Sequence, residues 1–278
     1  MCRMFFISSK KVITQTTLFY YTIEAEKSIL KQSQFNEKRL QKDGWGIGYF
    51  EDSNPYIHKS SNSIYSEKDK LKDKIKKIKT TSFIMHIRRA SNPRNLEIKK
   101  LISEENTQPY CANNIIFTHN GTLNIVDEIY ENLAKYKKFV KGLNDSEVLF
   151  WHIMKNLDAY GDIPQAIKAA RREINTVWIS VKNNYKHFKE PYIGLNIFIY
   201  TEKNFYALCD FRLKKETYSI MTPSWEYGRY AIKKEKDIFI ISSEPLDNER
   251  WQKINHNSLI EFDIKAFKLK ISDAGGTI

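Results

Sequence analysis

The chain has 278 residues, of which 41% are apolar and 13% aromatic, so it can bury a substantial core. Lysine and arginine exceed aspartate and glutamate by 45 − 33 = 12, which raises the question of a polyanionic partner. The lysines are spread along the chain, many beside acidic residues, so a generally basic surface is favoured over a nucleic-acid site. The three cysteines, at positions 2, 111 and 209, lack the spacing of a disulfide framework or a zinc site.

Targeting and membrane signals are weak. The longest apolar run, around residues 193–200, is far shorter than the roughly 18 residues that indicate a membrane-spanning helix. The amino terminus lacks the apolar segment of a signal peptide. We therefore expect a cytoplasmic protein without membrane contact. No linker rich in proline, glycine and serine divides the chain, so we predict a single domain over residues 1–278.

Strand and helix patterns follow one another without regular alternation. The predicted strands cover residues 2–8, 43–50, 82–87, 115–119, 176–181, 195–201, 205–210, 218–221, 238–242 and 259–264. The predicted helices cover residues 18–38, 66–79, 124–140, 144–157 and 163–174. This order is typical of a layered α+β fold rather than of a parallel α/β sheet.

Cys2 allows two interpretations. Removal of the initiator methionine before a small residue would leave Cys2 as the amino terminus, with a thiol and a free α-amino group on one residue. An α-amino group titrates near ~7.7 and can accept the thiol proton at neutral pH. The alternative is that Cys2 is a small apolar residue at the start of a buried strand.

Two strand-like segments could approach a ligand closely. In residues 43–50 glycines alternate with large apolar residues, which lets a ligand or another backbone come near; the alternative is a glycine-rich hairpin at a sheet edge. The apolar run at 82–87 ends in Arg88 and Arg89, and two arginines at the end of a buried strand need an anionic partner or solvent.

Polar residues further along the chain also allow two interpretations each. Asn120-Gly121 lies between strand-like segments, which predicts a hairpin turn. A carboxamide beside an unencumbered backbone N–H also suits the binding of an oxyanion. Asp145 precedes an apolar-periodic run and could simply cap a helix. The lysine-rich segment 66–79 is an amphipathic surface helix, with nucleic-acid binding as the alternative.

In sequence order, these segments resemble one known family. Met1-Cys2, 44–46, 86–91, 119–122 and 145–147 look like the motifs of class II glutamine amidotransferases, members of the N-terminal-nucleophile hydrolase superfamily. The similarity is greatest to the stand-alone branch without a synthase domain. The firm motifs lie in residues 2–150, and 151–278 would complete the fold. The resemblance implies a four-layer αββα sandwich, two antiparallel sheets flanked by helices.

The resemblance also implies a role for each matching residue. Cys2 would be the nucleophile, with Asn120 and Gly121 forming the oxyanion hole. Arg88 would bind the α-carboxylate of the substrate, and Asp145 its α-ammonium. The remaining substrate-binding candidates in the motifs are Ser91, Trp45, Gly46 and His119.

The implied activity is hydrolysis of glutamine, or of a γ-glutamyl amide, through a glutamyl thioester on Cys2. This chemistry needs no cofactor and no metal. Ammonia would be released or passed to a separate synthase subunit, and a homo-oligomer is compatible with the sequence. The alternatives are a hydrolase of another γ-glutamyl compound, a catalytically inactive relative, and a basic nucleic-acid-binding protein. Gln108 and Arg89 depart from the family pattern, which bears on the substrate more than on the nucleophile.

Overall fold

The structure is a computed structural model that describes residues 2–35, 40–211, 221–223 and 225–275. Its helices are α1 (Gln15–Phe19), α2 (Ile29–Gln34), α3 (Lys68–Ile75), α4 (Ile98–Leu101), α5 (Val126–Glu131), α6 (Asp145–Tyr160) and α7 (Ile163–Val181). Its strands are β1 (Arg3–Ser9), β2 (Trp45–Glu51), β3 (Asn54–Ser60), β4 (Ser82–Ile87), β5 (Tyr110–Ala112), β6 (Ile115–Leu123), β7 (Tyr192–Tyr200), β8 (Asn204–Cys209), β9 (Ala231–Lys234), β10 (Ile238–Ser242), β11 (Gln252–Lys253), β12 (Ser258–Asp263) and β13 (Lys268–Asp273).

Within the described ranges, the strands form two antiparallel sheets. Sheet A has seven strands in the order β11-β9-β10-β1-β4-β2-β3. Sheet B has six strands in the order β13-β12-β8-β7-β6-β5. The amino-terminal strand β1 therefore lies inside sheet A, between β10 and β4, where backbone hydrogen bonds on both sides hold the start of the chain in place.

Three apolar layers join the sheets and helices. Phe6 and Phe205 stack between the two sheets, with ring centroids 3.9 Å apart. Leu71 of α3 packs on the outer face of sheet A, and Ile153 of α6 packs on the outer face of sheet B. The predicted α+β fold, a four-layer αββα sandwich, is confirmed.

Several predicted elements have different bounds. Residues 18–38 do not form one helix: α1 passes into a π-helical turn at Tyr20–Glu24, and α2 starts again after Ser28, whose hydroxyl accepts the Lys31 N–H at 3.4 Å. Residues 36–38 lie outside the described residues. The predicted helix at 124–140 is divided into α5 and a 3₁₀ segment at Ala134–Phe139.

The predicted strand at 176–181 is wrong. Its β-branched residues favour a strand in isolation, but they continue α7, whose buried Ala166, Ala170 and Ile174 recur at helical spacing and pack against sheet B. Tertiary packing of this stripe outweighs the local preference. Of the predicted strand at 218–221, residues 218–220 lie outside the described residues. No helix in the described part of the chain is long and apolar enough to span a bilayer.

Candidate active site

Cys2 lies directly before β1 and is 7% exposed. Its sulfur accepts the Arg89 N–H at 3.3 Å, and its thiol donates to the Arg89 carbonyl at 3.4 Å. Burial raises the pKa of the Cys2 thiol, and the Arg89 N–H acts in the opposite direction. The thiol is therefore protonated at neutral pH and needs a base before it can act as a nucleophile.

The alternation of side chains along β1 determines where Cys2 points. Met4 and Phe6 belong to the core between the sheets, whereas Phe5 and Ile7 belong to the core under the helices of sheet A. Successive strand residues face opposite sides of a sheet. Cys2 therefore continues the inward-facing row, towards sheet B.

Strand β6 brings Asn120 to the same space. The Thr118 hydroxyl donates to the Met4 sulfur at 3.2 Å, so Thr118 and Met4 face each other between the sheets. Along β6, Asn120 is the inward-facing residue that follows Thr118. Along the chain leading into β1, Cys2 is the inward-facing residue that precedes Met4.

The two inward rows run in the direction that places Cys2 and Asn120 together. At the other end of its row, Phe6 contacts Tyr200, with ring centroids 5.1 Å apart. Tyr200 pairs with Ile116 in the register of β6 and β7. Phe6 therefore lies at the Ile116 end of β6, which leaves Cys2 at the Asn120 end.

The Asn120 carboxamide is buried and has no partner among the residues that the structure describes. Asn120 is 1% exposed, and neither its oxygen nor its nitrogen has a hydrogen-bond partner among the described residues. The hairpin turn that Asn-Gly predicts does not form, because β6 continues through both residues. A buried polar group without a partner costs about 1–3 kcal/mol, so such a group needs a specific explanation.

Gly121 is required by the close approach of β7. A Cβ at this position would lie 1.9 Å from the Gly194 carbonyl oxygen, far inside contact distance. The register between β6 and β7 shifts between Gly121 and Leu123, and the Leu123 N–H donates to the Asp145 carboxylate at 2.8 Å. The bulge thus joins the Asn120-Gly121 segment to the start of α6.

Arg88 is a buried cation that uses only part of its hydrogen-bonding capacity within the described ranges. It is 1% exposed, and its Nη1 donates to the Leu101 carbonyl at 2.8 Å and to the Asp43 carbonyl at 3.1 Å. Its Nη2 is buried without a hydrogen-bond partner in the described part of the chain. The Arg89 side chain is exposed, and this residue contacts Cys2 through its backbone.

Asp145 begins α6 but does not cap it, since the Asn144 side chain accepts the Ser146 N–H. One Asp145 oxygen accepts the Ser91 hydroxyl at 2.9 Å, and the other accepts the Leu123 N–H at 2.8 Å. Asp145 is 2% exposed. The positive charge of Arg88 acts to lower the pKa of the Cys2 thiol, and the negative charge of Asp145 acts to raise it, as charges close to the sulfur do.

His119 lies on the opposite face of β6 from Asn120. Its Nδ1 and the Ser146 hydroxyl are 2.9 Å apart, and the Gln108 amide donates to its backbone carbonyl at 3.1 Å. Burial lowers the pKa of His119, so its ring is neutral at pH 7. The side chain fastens β6 to α6 behind the site and does not face Cys2.

Trp45 and Gly46 have separate roles. The structure does not bring the Trp45 side chain to the site: it packs under the helices of sheet A, and its indole N–H donates to Glu67 at 2.8 Å. A Cβ at Gly46 would lie 2.3 Å from the Gln108 carbonyl oxygen, so this glycine lets the 108–109 segment cross the inner face of sheet A. Strand β2 lies between β3 and β4 rather than at the sheet edge.

Two inward-facing polar residues were given no role by sequence reasoning: His86, which opens the 86–91 motif, and Asn196, which lies in no motif. His86 pairs with Met4 in the β1–β4 register, and burial, followed by the Arg88 charge, lowers its pKa to about 3, so it is neutral. Asn196 pairs with Asn120 in the β6–β7 register and is 1% exposed. The available signal was a polar residue inside an otherwise apolar run: His86 in residues 83–87 and Asn196 in residues 195–199.

A separate cavity of about 500 Å³ opens at the β3 and β5 edges of the sandwich, lined in part by Lys59, Tyr110, Glu147 and Trp151. Its Glu147 carboxylate accepts the N–H groups of Lys141 and Gly142, which gives that charge a structural role. Across the described ranges, no group of three or more histidine, cysteine, aspartate or glutamate side chains could hold a metal ion.

Comparison with known proteins identifies the family. The model described as "Glutamine amidotransferases class-II" matches residues 18–273. The chain is a class II glutamine amidotransferase family member. The matched range begins downstream of Cys2. This family member is also 23% identical over 302 residues to "Probable glutamine amidotransferase DUG3" of Saccharomyces cerevisiae, covering 94% of this chain and 81% of the yeast protein.

Solved structures of similar fold agree with the two-sheet architecture. A glutamine aminotransferase class-II domain protein from Silicibacter pomeroyi matches with a TM-score of 0.63 and 15% identity, covering 98% of this chain and 99% of that one. Glutamine phosphoribosylpyrophosphate amidotransferase from B. subtilis matches with a TM-score of 0.61 and 18% identity, covering 100% of this chain and 50% of that one. At these identities the likeness establishes the fold alone.

Proposed function

We propose that this amidotransferase family member hydrolyses glutamine, or another γ-glutamyl amide, with Cys2 as the nucleophile after removal of Met1. The proposal is supported by three buried groups, the Cys2 thiol, the Asn120 carboxamide and the Arg88 Nη2. Strand alternation turns Cys2 and Asn120 towards the space between the sheets, and the Arg88 charge acts to lower the pKa of the Cys2 thiol. The Asn120 carboxamide and the Arg88 Nη2 lack hydrogen-bond partners in the described residues. Both carry N–H donors, and a substrate with a carboxylate and a developing oxyanion would satisfy both.

The reaction would begin with proton transfer from the Cys2 thiol to its own α-amino group. The thiolate attacks the γ-carbonyl carbon, and the oxygen that becomes negative accepts hydrogen bonds from Asn120 Nδ2 and the Gly121 N–H. The carbon–nitrogen bond breaks, and the nitrogen leaves as ammonia or an amine with the proton from the α-ammonium. Water then hydrolyses the thioester, releasing glutamate and the free thiol.

Recognition of the glutamyl group would use the two buried charges. Arg88 Nη2 would donate to the α-carboxylate. Asp145 would accept from the α-ammonium; each of its oxygens accepts one hydrogen bond, and a carboxylate offers roughly four acceptor positions. Ser91 would hold Asp145 in place rather than contact the reacting carbon.

The first experiment is intact mass spectrometry of the untagged protein, before and after treatment with a glutamine-like diazo-ketone. We expect loss of Met1 and one adduct, located on Cys2 by peptide mapping. Release of glutamate from glutamine and from γ-glutamyl amides would then be assayed directly. Retention of Met1 with no adduct would contradict the proposal, because an acylated amine cannot act as the base.

Arg88 offers a test of substrate recognition with a control beside it. In Arg88→Lys we expect KM for glutamine to rise by about 30-fold or more, since a desolvated charge pair contributes roughly 2–5 kcal/mol. Arg89→Gln, at an exposed side chain, should leave KM unchanged. An unchanged KM in Arg88→Lys, or a larger effect in Arg89→Gln, would assign carboxylate binding to another group.

Nucleic-acid binding has less support. Three lysines around α3 pair with acidic residues one turn away: Lys70 with Glu67 at 3.1 Å, Lys72 with Asp69 at 3.5 Å, and Lys76 with Asp73 at 3.1 Å. These pairs reduce the positive potential of the segment that motivated the alternative.

The proposal includes a cytoplasmic location and release of ammonia to solvent or to a separate synthase subunit.

A further inference from the structure

A second buried carboxamide lies next to Asn120. Asn196 pairs directly with Asn120 across β6 and β7, and its neighbours in the same row, Phe198 and Tyr200, belong to the core between the sheets. Directly opposed residues of an antiparallel pair have Cβ atoms about 4.5–5.5 Å apart on one face of the sheet. The side chains of Asn120 and Asn196 therefore project side by side into the space that Cys2 faces.

The orientation of the Asn196 carboxamide is fixed. Its Nδ2 donates to the Gly228 carbonyl at 2.6 Å, which identifies the other atom as the acceptor oxygen. That oxygen is buried and has no hydrogen-bond partner among the described residues. A carbonyl oxygen can only accept, so the group that would satisfy it must carry an N–H or O–H.

We propose that Asn196 Oδ1 accepts a hydrogen bond from the leaving nitrogen of the substrate and so makes the site selective for amides over esters. This inference rests on the proposed function. In the tetrahedral intermediate the oxyanion and the leaving nitrogen are substituents of one carbon. Two adjacent carboxamides can hold them together: Asn120 donates to the oxygen, and Asn196 accepts from the nitrogen.

The same contact becomes stronger as the reaction proceeds. When the carbon–nitrogen bond breaks, the nitrogen takes up a proton and leaves as an amine, retaining at least one hydrogen that points at Asn196 Oδ1. An ester oxygen in the same place carries no hydrogen and would meet the Asn196 oxygen lone pair to lone pair. A site built to pair a substrate N–H disfavours the analogue that lacks it.

The test compares γ-glutamyl methylamide with the γ-methyl ester of glutamate, which differ by N–H against O, in the wild type and in Asn196→Leu. We expect kcat/KM for the amide to fall by about tenfold in Asn196→Leu, the scale of one lost hydrogen bond. We expect kcat/KM for the ester to stay unchanged or to rise, because the unfavourable contact between the two oxygens is lost. Asn196→Asp, which keeps an acceptor oxygen, should retain more of the amide preference than Asn196→Leu.

Asn124 supplies a matched control. It is 4% exposed, its Nδ2 donates to the Glu190 carbonyl at 2.8 Å, and its Oδ1 lacks a partner in the described residues, but it lies beyond the β6 bulge. Asn124→Leu should leave the amide-to-ester ratio unchanged. Equal losses on both substrates in Asn196→Leu, or no loss on either, would overturn the inference. A wild type inactive on both would overturn the proposed function and this inference with it.

Should Asn196→Leu fail to fold, Asn196→Ala takes its place, because it also removes the acceptor oxygen and adds no apolar volume. A hydrogen-bonding role predicts that the amide-to-ester ratio of kcat/KM falls in Asn196→Ala and is retained in Asn196→Asp. A purely structural role predicts the same ratio in the wild type and in both variants, and that result would overturn the inference.

Discussion

Cys2→Ala is expected to abolish glutamyl hydrolysis, with kcat falling by about a thousandfold or more, the scale on which loss of a covalent nucleophile acts. The diazo-ketone adduct should disappear with it. The fold should persist, because Cys2 precedes β1 and makes hydrogen bonds to the Arg89 backbone rather than large apolar contacts. Turnover and intact mass measured on one preparation would check both effects.

The other two cysteines provide controls for this prediction. Burial raises the pKa of the Cys209 thiol to about 12, which makes it a poor nucleophile. Cys111 is half-buried and lines the cavity at the sheet edges. Cys111→Ser should therefore retain both activity and adduct. If Cys2→Ala retained full turnover, or if the adduct mapped to Cys111, the assignment of the nucleophile would be wrong.

Asn120→Ala should lower kcat by about a hundred- to a thousandfold with little change in KM, because one oxyanion-hole donor contributes roughly 3 kcal/mol in the transition state. The free energy of unfolding of Asn120→Ala should be higher than that of the wild type or unchanged. The Asn120 carboxamide has no hydrogen-bond partner among the described residues, so its removal breaks none of the described hydrogen bonds and relieves the cost of a buried unpaired group.

The separation of these two effects makes the prediction specific. Steady-state kinetics and the midpoint of thermal unfolding would be measured together for wild type and Asn120→Ala. A large loss of kcat with an unchanged or higher midpoint is the expected outcome. A lower midpoint with proportionate loss of activity would mean that Asn120 holds β6 in place, and near-full turnover would move the oxyanion hole elsewhere.

The sequence was a good guide to the elements that have both faces covered. The nearly unbroken apolar run of β4 predicted its strand, as did the apolar start of β1, because both are buried between a helical layer and the opposite sheet. It was a poor guide where local preference and packing disagree. Residues 176–181 look like a strand and are helical, since the apolar stripe of α7 continues through them.

The candidate site shows the same difference between what the sequence predicts and what packing decides. The motifs that resemble class II glutamine amidotransferases predicted the family and named Cys2, Arg88, Asn120 and Asp145 before any geometry was available. The motifs could not show which residues turn their side chains towards the site and which turn them towards the opposite face of the sheet. Trp45 stands within a motif, yet its side chain packs under the helices, whereas Asn196 stands in no motif and faces the same space as Asn120.

The sequence by itself determined the family and the α+β class and named the residues of the candidate site, because these depend on residue identity and order along the chain. The tertiary structure alone decided which of those residues meet. Strand register and the two-residue alternation bring Cys2 to Asn120, and the Gly121 contact with Gly194 fixes β6 against β7. Cys2 and Asn120 are 118 residues apart in the chain, and Gly121 and Gly194 are 73 residues apart. Local pattern carries no information about which partner each strand will find.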